Sequence, residues 1–245
     1  MPPRFYVEPP LLAGAELSLA PGPARHVQVL RLQPGASLTL FDGCGGEFAA
    51  TVTHMGRSEV LVRVGLHDAV ARELARPITL ALGMPANERM DTLIEKATEL
   101  GVAAIVPLVC DRSVLRLQGE RAGKKLAHWR GVAVAACEQS GRTRVPALAP
   151  VATLPAWLQA LPAAGGEARW LLSLGEAPAL ATAAATLGGA DSPVLVLSGP
   201  EGGLSAVEEA LALRCGFTPV RLGPRVLRAD TAPLAVLAHL GLIEP

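Results

Sequence analysis

The sequence has no close pair of cysteines, few aromatic residues and no net charge. Its four cysteines lie far apart, at Cys44, Cys110, Cys137 and Cys215, and none forms a CxxC pair. This argues against a zinc site or a disulfide scaffold and predicts four buried, reduced thiols. Because aromatic residues make up only 3% of the chain, aliphatic and alanine side chains must build most of the core. A formal net charge of zero means that any nucleic acid would have to be bound by a local basic patch.

Targeting, membrane-spanning and metal-binding patterns are also missing. The first residues, 1–5, lack the apolar core of a signal peptide, and no run of about 18 uncharged apolar residues follows. The five histidines show no paired spacing. We therefore predict a cytoplasmic protein that neither enters a membrane nor binds a metal.

The periodicity of apolar residues divides the chain in two. Alternating apolar residues at 37–41, 48–52 and 59–64, separated by turn clusters, predict a small β-barrel domain over 1–72. Strands and helices alternate over 77–245, which predicts an α/β domain with a parallel sheet. Its predicted strands are 78–83, 103–109, 170–174, 194–198 and 220–222; its predicted helices are 87–100 with Asn87 as cap, 119–140, 155–161, 178–187, 205–215 and 231–240.

Three late segments share one form, a buried strand that runs directly into an unusual loop. They cover 170–176, 194–203 and 220–230. In open α/β sheets, ligands bind beyond the carboxyl ends of the strands, so we expect the three loops to share one pocket.

The second of these loops is rich in glycine. Gly199, Gly202 and Gly203 permit close approach of a ligand to the backbone, and Ser205 with Glu208 predicts a capping box that starts a helix. The lysine of a P-loop and the GxGxxG pattern are both absent. From spacing alone, a ligand-binding loop and a simple tight turn are equally good interpretations.

Two segments are rich in basic residues. The third loop carries Arg221, Arg225 and Arg228, and Asp230 or Thr231 can cap the helix after it. Such a loop suits an anionic polymer held near a small ligand, although a solvated basic loop fits the pattern equally well. The other segment, 111–144, has eight basic residues against three acidic ones, which suits phosphate contacts or a solvated helix face. Its polar stretch 138–142 indicates a site rim or a subunit contact.

Several of these segments in combination resemble the RsmE family of SPOUT RNA methyltransferases, whose members methylate N3 of a uridine in small-subunit ribosomal RNA. Segments near the N-terminus are similar to the PUA-like domain of the family. The resemblance extends in order over nearly the whole chain. The matching segments are 4–6, 26–32, 41–43, 95–102, 105–107, 136–142, 145–146, 199–205 and 222–228.

The resemblance implies a fold, a cofactor and partners. The fold would be α/β, a SPOUT-type parallel sheet with a C-terminal trefoil knot, preceded by a small PUA-like β-barrel. The protein would be a homodimer that acts on 16S rRNA or on the assembled small ribosomal subunit. S-adenosyl-L-methionine would contact Leu172, Leu174, Gly199, Pro200, Gly203, Leu222, Gly223 and Leu227.

The resemblance also implies roles for particular side chains. Arg228 would stabilise the imide anion that forms when uracil N3 loses its proton, by analogy with an oxyanion hole. Glu201 is a candidate general base, and solvent is the alternative. The RNA itself would be contacted by Arg25, Arg31, Arg112, Arg116, Arg142 and Arg225.

This chain departs from the family at two positions, and three other functions stay open. The family usually has Arg-x-Glu-Thr-Ala before the last helix, whereas this chain has Asp230 in place of the glutamate, followed by an unusual Pro233. Aspartate keeps the charge but is one methylene shorter, so a direct carboxylate contact is in question. The alternatives are a SPOUT enzyme acting on the ribose 2′-hydroxyl, a non-catalytic RNA-binding protein and, less favoured, a metabolic α/β enzyme.

Overall fold

A computed structural model describes residues 2–8, 10–57, 59–86 and 88–242. The chain forms two compact units. The first contains the residues up to Glu73 together with Val134–Val145, and the second contains Leu74–Ala133 and the residues from Pro146 onward. Asn87, the predicted cap of a helix, lies outside the described residues.

The first unit is a five-stranded sheet with one helix. The sheet has the order β1-β3-β4-β5-β2, and β1 pairs parallel to β3 while the other pairs are antiparallel. Within the described part of this unit no hydrogen-bonded ladder joins β1 to β2, so the predicted barrel is an open curved sheet. The elements are β1 Arg4–Tyr6, β2 Glu16–Ser18, α1 Pro21–Val29, β3 Ser37–Phe41, β4 Glu47–Met55 and β5 Val60–Asp68.

The strands of this unit surround a single apolar core. Phe5 from β1, Leu40 from β3 and Val62 from β5 are fully buried in it, together with Val27 from α1. Two register shifts between β4 and β5 mark bulges, which bend a strand and increase its twist. The bending lets five short strands enclose a core that contains few aromatic side chains.

Residues 134–145 are held on the first unit by polar contacts. The Tyr6 N–H donates to Glu138 Oε1 at 2.9 Å, and Arg142 Nε donates to Glu73 Oε2 at 3.0 Å. Burial raises the pKa of Glu138, although the bond from Tyr6 acts in the opposite direction. Glu138 and Arg142, two polar residues of 138–142, therefore pack within this unit, and the prediction of a site rim or subunit contact for this stretch stays a prediction.

The second unit is built on a sheet whose strands are all parallel. The order is β12-β10-β11-β6-β7-β8, and β9 also pairs with β7. The predicted α/β fold with a parallel sheet is confirmed. The elements are β6 Ile78–Gly83, α2 Arg89–Glu99, β7 Ala104–Val109, α3 Gly119–Ser140, β8 Ala147–Leu148, β9 Ala152–Thr153, α4 Leu154–Ala160, β10 Ala168–Leu172, α5 Leu180–Ala185, β11 Val194–Ser198, α6 Ala206–Arg214, β12 Thr218–Val220 and α7 Thr231–Gly241. The last residues of α3, 134–140, belong to the first unit.

The thiols differ in their surroundings. Cys110 and Cys137 are buried, and burial raises the pKa of these thiols to about 12 and about 11, so both stay protonated at neutral pH. Cys44 is exposed and Cys215 is half-buried, so the prediction of four buried thiols is wrong for these two. Among the described helices, none has the length and apolarity needed to cross a membrane.

Candidate functional site

Three loops emerge from neighbouring strands at one edge of the sheet. The strands β12, β10 and β11 are adjacent and parallel, so their carboxyl ends lie together. The first and third loops are joined by the Leu180 N–H, which donates to the Arg221 carbonyl at 3.0 Å, and by the Arg221 N–H, which donates to the Pro178 carbonyl at 2.9 Å. The loop between β11 and α6, which we call the glycine loop (199–205), lies beside them.

A capping box fixes the end of the glycine loop. Ser205 Oγ accepts the Glu208 N–H at 3.3 Å, and Glu208 Oε2 accepts the Ser205 N–H at 2.9 Å, so the predicted box is confirmed. Reciprocal bonds of this kind satisfy amide groups that a helix cannot pair internally. The loop therefore enters α6 in one defined conformation.

The glycine loop is also bonded to the turn that follows β7. Glu208, which is only 2% exposed, accepts the Asp111 N–H on Oε1 at 2.8 Å. Ser205 Oγ donates to Asp111 Oδ2 at 2.7 Å, and Arg112 Nη1 donates to the Gly202 carbonyl at 3.0 Å. These partners are some 90 residues apart in sequence, which is why sequence patterns do not show the network.

Two glycines at this edge leave the backbone accessible to a ligand. Gly203 has a φ of +69° and Gly223 a φ of +101°, values that disfavour any residue with a side chain. A Cβ at either position would meet no described atom within 4 Å. Gly199 differs, because a Cβ there would lie 3.0 Å from the Leu204 nitrogen, so this glycine is required by the packing of the loop itself.

The other predicted cofactor contacts occupy the same edge. Leu172 is the last residue of β10 and is half-buried, whereas Leu174 lies beyond the strand and is 77% exposed. In the remaining loops, Pro200 is buried, and Leu222 and Leu227 are half-buried.

The arginines of the third loop face solvent. Arg225 and Arg228 are exposed, and within the described part of the chain the Arg228 guanidinium has no ion-pair partner. The Arg228 carbonyl accepts the N–H groups of Thr231 and Ala232 at 3.0 and 2.9 Å, which fixes Arg228 at the start of α7.

The predicted side-chain cap of α7 is not formed. Asp230 occupies the N-cap position, but its backbone is already helical and its side chain accepts no backbone N–H. Its Oδ1 instead accepts a hydrogen bond from Thr231 Oγ1 at 3.3 Å. The shorter aspartate therefore contacts its neighbouring side chain rather than the backbone of the helix.

The basic residues of the predicted segment 111–144 differ in their partners. Arg112 and Arg116 are exposed and donate to backbone carbonyls, so no carboxylate neutralises them there. Lys124 pairs with Glu120, and Lys125 with Asp91.

Arg142 has a structural role. It is 4% exposed and its guanidinium pairs with Glu73 within the first unit, so it is removed from the set of predicted RNA contacts. The other two arginines predicted for RNA in this unit, Arg25 on α1 and Arg31 just after it, are exposed.

A cavity of about 750 Å³ lies in the second unit, beside the glycine loop. Ala86, Glu88, Arg89, Val114 and Glu201 line it. Glu201 Oε1 accepts the Ala86 N–H at 3.0 Å and lies 3.5 Å from Arg89 Nη1. Sequence analysis missed Arg89, because an arginine at the start of an ordinary amphipathic helix gives no functional signal and its partner is 112 residues away.

The chain matches two families of known proteins. Residues 72–241 match the RNA methyltransferase domain family, and residues 24–65 match the RNA methyltransferase PUA domain. The chain is 33% identical to the ribosomal RNA small subunit methyltransferase E of Synechocystis over 98% of this chain and 77% of that protein. The chain belongs to the ribosomal RNA small subunit methyltransferase E family. The resemblance drawn from the sequence is thereby confirmed.

Two further members of the methyltransferase E family show the same relationship. The protein of Mycobacterium tuberculosis is 33% identical over 88% of this chain and 81% of its own length. The crystal structure of the protein from Neisseria gonorrhoeae, bound to S-adenosyl methionine, superposes with a TM-score of 0.91 at 35% identity, covering 100% of this chain and 98% of that one. Both units of this methyltransferase are therefore shared with its relatives.

Removing the Glu208 carboxylate tests the network under the glycine loop. Glu208→Ala leaves the partly buried N–H groups of Ser205 and Asp111 without their acceptor, and we expect it to lower the free energy of unfolding by about 2 kcal/mol. Glu209→Ala, at the next and exposed position of α6, is the control and should stay within about 0.5 kcal/mol of the wild type. Urea denaturation measures both. Equal stabilities would show that the network does not stabilise the loop.

Proposed function

We propose that this chain uses S-adenosyl-L-methionine to methylate N3 of a uridine in the 16S rRNA of the small ribosomal subunit. The observation that carries the proposal is the edge where three loops meet in a member of the methyltransferase E family. A relative with the same fold binds S-adenosyl methionine, and the relatives are named for ribosomal RNA of the small subunit. The target base and the atom methylated are our assignment.

We further propose a SPOUT-type trefoil knot near the C-terminus. After β11 the chain passes beyond β10 to form β12 at the edge of the sheet. It then returns, because a Cβ at Gly241, at the end of α7, would lie 3.4 Å from the Leu100 carbonyl that follows α2. The return of the chain from the edge of the sheet to the end of α2 supports a knot, which is rare among protein folds.

The two units have different proposed functions. We propose that 1–72 form the PUA-like RNA-binding domain and 77–245 the methyltransferase domain, in a cytoplasmic homodimer. The RNA-contacting arginines would be Arg25, Arg31, Arg112, Arg116 and Arg225. Each is exposed, as a residue that meets phosphate groups must be.

The residues at the edge of the sheet suit the cofactor. The open backbone at Gly203 and Gly223 can approach a ligand closely, and the apolar side chains nearby can pack against its uncharged parts. When bound, S-adenosyl-L-methionine supplies an electrophilic methyl group, which passes to N3 and leaves a neutral thioether. The full proposed contact set is Leu172, Leu174, Gly199, Pro200, Gly203, Leu222, Gly223 and Leu227.

The chain must also help the uracil to lose its N3 proton. The Arg228 guanidinium has no described ion-pair partner, so its charge is available to stabilise the imide anion. Glu201 is the proposed proton acceptor, since among the described residues only its Oε1 is hydrogen bonded and Oε2 remains available. The target base has to be unpaired or flipped out, because N3 lies on the Watson–Crick edge.

The product of the reaction tests the proposed function. Ribosomal RNA from cells with and without the gene is digested to nucleosides and analysed by mass spectrometry. We expect 3-methyluridine in 16S rRNA to disappear without the gene and to return when the gene is restored. Loss of a ribose-methylated nucleoside instead would assign the 2′-hydroxyl as target, and unchanged rRNA would favour a non-catalytic RNA-binding protein.

Arg228→Ala tests the stabilisation of charge at the base. We expect methyl transfer to slow by about 100-fold or more, as when one oxyanion-hole donor is removed. Affinity for S-adenosyl-L-methionine, measured by calorimetry, should not change. Arg214→Ala removes another exposed arginine, at the end of α6, and should leave the rate unaltered. A wild-type rate for Arg228→Ala would exclude this arginine from the mechanism.

Gly203→Val tests the open backbone of the glycine loop. A β-branched side chain at a φ of +69° is strained by about 1–2 kcal/mol and fills the space that a ligand would use. Gly216→Val imposes similar strain, at a φ of +85° in equally open space, but precedes β12 at the opposite end of the strands. Calorimetry should show that S-adenosyl-L-methionine binding is lost in the first variant and kept in the second. Equal affinities would contradict the proposed site.

A further inference from the structure

The cavity beside the glycine loop has no assigned occupant. Its apolar walls come from Ala86 and Val114, and its charged groups are Glu88, Arg89 and Glu201. At about 750 Å³ it is large enough for a nucleotide base with water, and it falls within the usual size of small-molecule sites.

The charges of the cavity select the kind of ligand. Two carboxylates face one guanidinium, so the net charge disfavours a phosphate group inside. The apolar side chains suit the faces of a flat ring, and the charged groups suit its hydrogen-bonding edge. An uncharged base meets both conditions.

In the cavity, Glu201 supplies a hydrogen-bond acceptor and Arg89 a neighbouring donor. Glu201 is fixed through Oε1 by the Ala86 N–H at 3.0 Å. The contact from Arg89 Nη1 is 3.5 Å long and both side chains are partly exposed, at 45% and 29%. A pair of this length is weak, so the remaining N–H groups of the guanidinium are available to a ligand.

The cavity adjoins the loop that would hold the cofactor. A Cβ at Gly83, the last residue of β6, would lie 2.5 Å from Pro200 Cδ and 2.9 Å from the Gly199 carbonyl carbon. The end of β6 is therefore packed directly against the glycine loop. A base in the cavity would therefore lie beside the loop that carries Gly199, Pro200 and Gly203, which are among the proposed cofactor contacts.

We propose that this cavity receives the target uracil and that Arg89 determines its recognition. The Arg89 guanidinium donates to a carbonyl oxygen next to N3, and Glu201 Oε2 accepts the N3–H. The N3–H bond then breaks, the proton goes to Glu201, and the negative charge spreads onto the carbonyl oxygens, where Arg89 stabilises it. The proposal rests on the proposed function and adds the location of the base and the role of Arg89.

The same arrangement rejects cytosine. In uracil a carbonyl oxygen stands beside N3–H on either side, which matches a donor next to an acceptor. In cytosine N3 carries no proton, so the carboxylate would face an acceptor. An amino group also replaces the carbonyl at C4, so a guanidinium on that side of N3 would face a donor. A mismatch of this kind disfavours cytosine, because it leaves polar groups without partners.

The test compares Arg89→Ala with Arg121→Ala, which removes an exposed arginine from α3 outside the cavity. Small subunits from cells that lack the gene are the substrate, and the rate of methyl transfer is followed from pH 6 to 9. We expect Arg89→Ala to be slower by about 10- to 100-fold at neutral pH. Its deficit should shrink as the pH rises, because N3 then loses its proton without help.

A second substrate makes the test specific. Subunits that carry 5-fluorouridine, whose N3–H is more acidic, should restore most of the rate of Arg89→Ala while changing that of Arg121→Ala little. Arg89→Lys keeps a cation and should be intermediate. S-adenosyl-L-methionine affinity should be the same in all variants.

Three outcomes would overturn the proposal. They are a wild-type rate and pH profile for Arg89→Ala, a pH-independent deficit that 5-fluorouridine does not reduce, and a loss of cofactor affinity, which would assign the cavity to the cofactor. The proposed function is judged separately, by whether the wild-type protein forms 3-methyluridine in the same subunits.

Discussion

Glu208 connects two parts of the candidate site that are far apart in sequence. Its two carboxylate oxygens accept the N–H groups of Ser205 and Asp111, so the glycine loop and the turn after β7 share one buried acceptor. A buried carboxylate is costly unless its oxygens are hydrogen bonded, and here both are. Arg112, in the turn after β7, donates to the Gly202 carbonyl of the glycine loop. Glu201, in the glycine loop, accepts the Ala86 N–H beyond the end of β6.

The parallel sheet places the residues of the candidate site in neighbouring loops. Because β6, β10, β11 and β12 all run in one direction, their following loops lie at one edge, where backbone amides and carbonyls are not used by the sheet. When a ligand is bound mainly by backbone groups, the identity of most side chains around it is not constrained, so the sequence shows no distinctive motif. This explains why the spacing of Gly199, Gly202 and Gly203 alone could not distinguish a binding loop from a tight turn.

Much of the fold could be predicted from the sequence, because long elements carry a clear period. The predicted bounds of 78–83, 119–140 and 194–198 agree with β6, α3 and β11. The strands β1 and β2 have three residues each, too few to show alternation, and they were missed. The candidate site was located by its loops, but its long-range pairs, such as Arg89 with Glu201, depend on the tertiary fold and leave no local pattern.

The arginines show how charge is divided between structure and function. Arg169 is 5% exposed and donates to the carbonyls of Cys215 and Pro162, and Arg142 is paired with Glu73, so both guanidiniums serve the fold. Arg228, by contrast, is exposed and has no carboxylate partner among the described residues. A guanidinium that is already paired with a carboxylate attracts an incoming anion less strongly. In a chain of zero net charge, burial together with pairing therefore separates structural arginines from candidates for RNA contact and catalysis better than the number of arginines does.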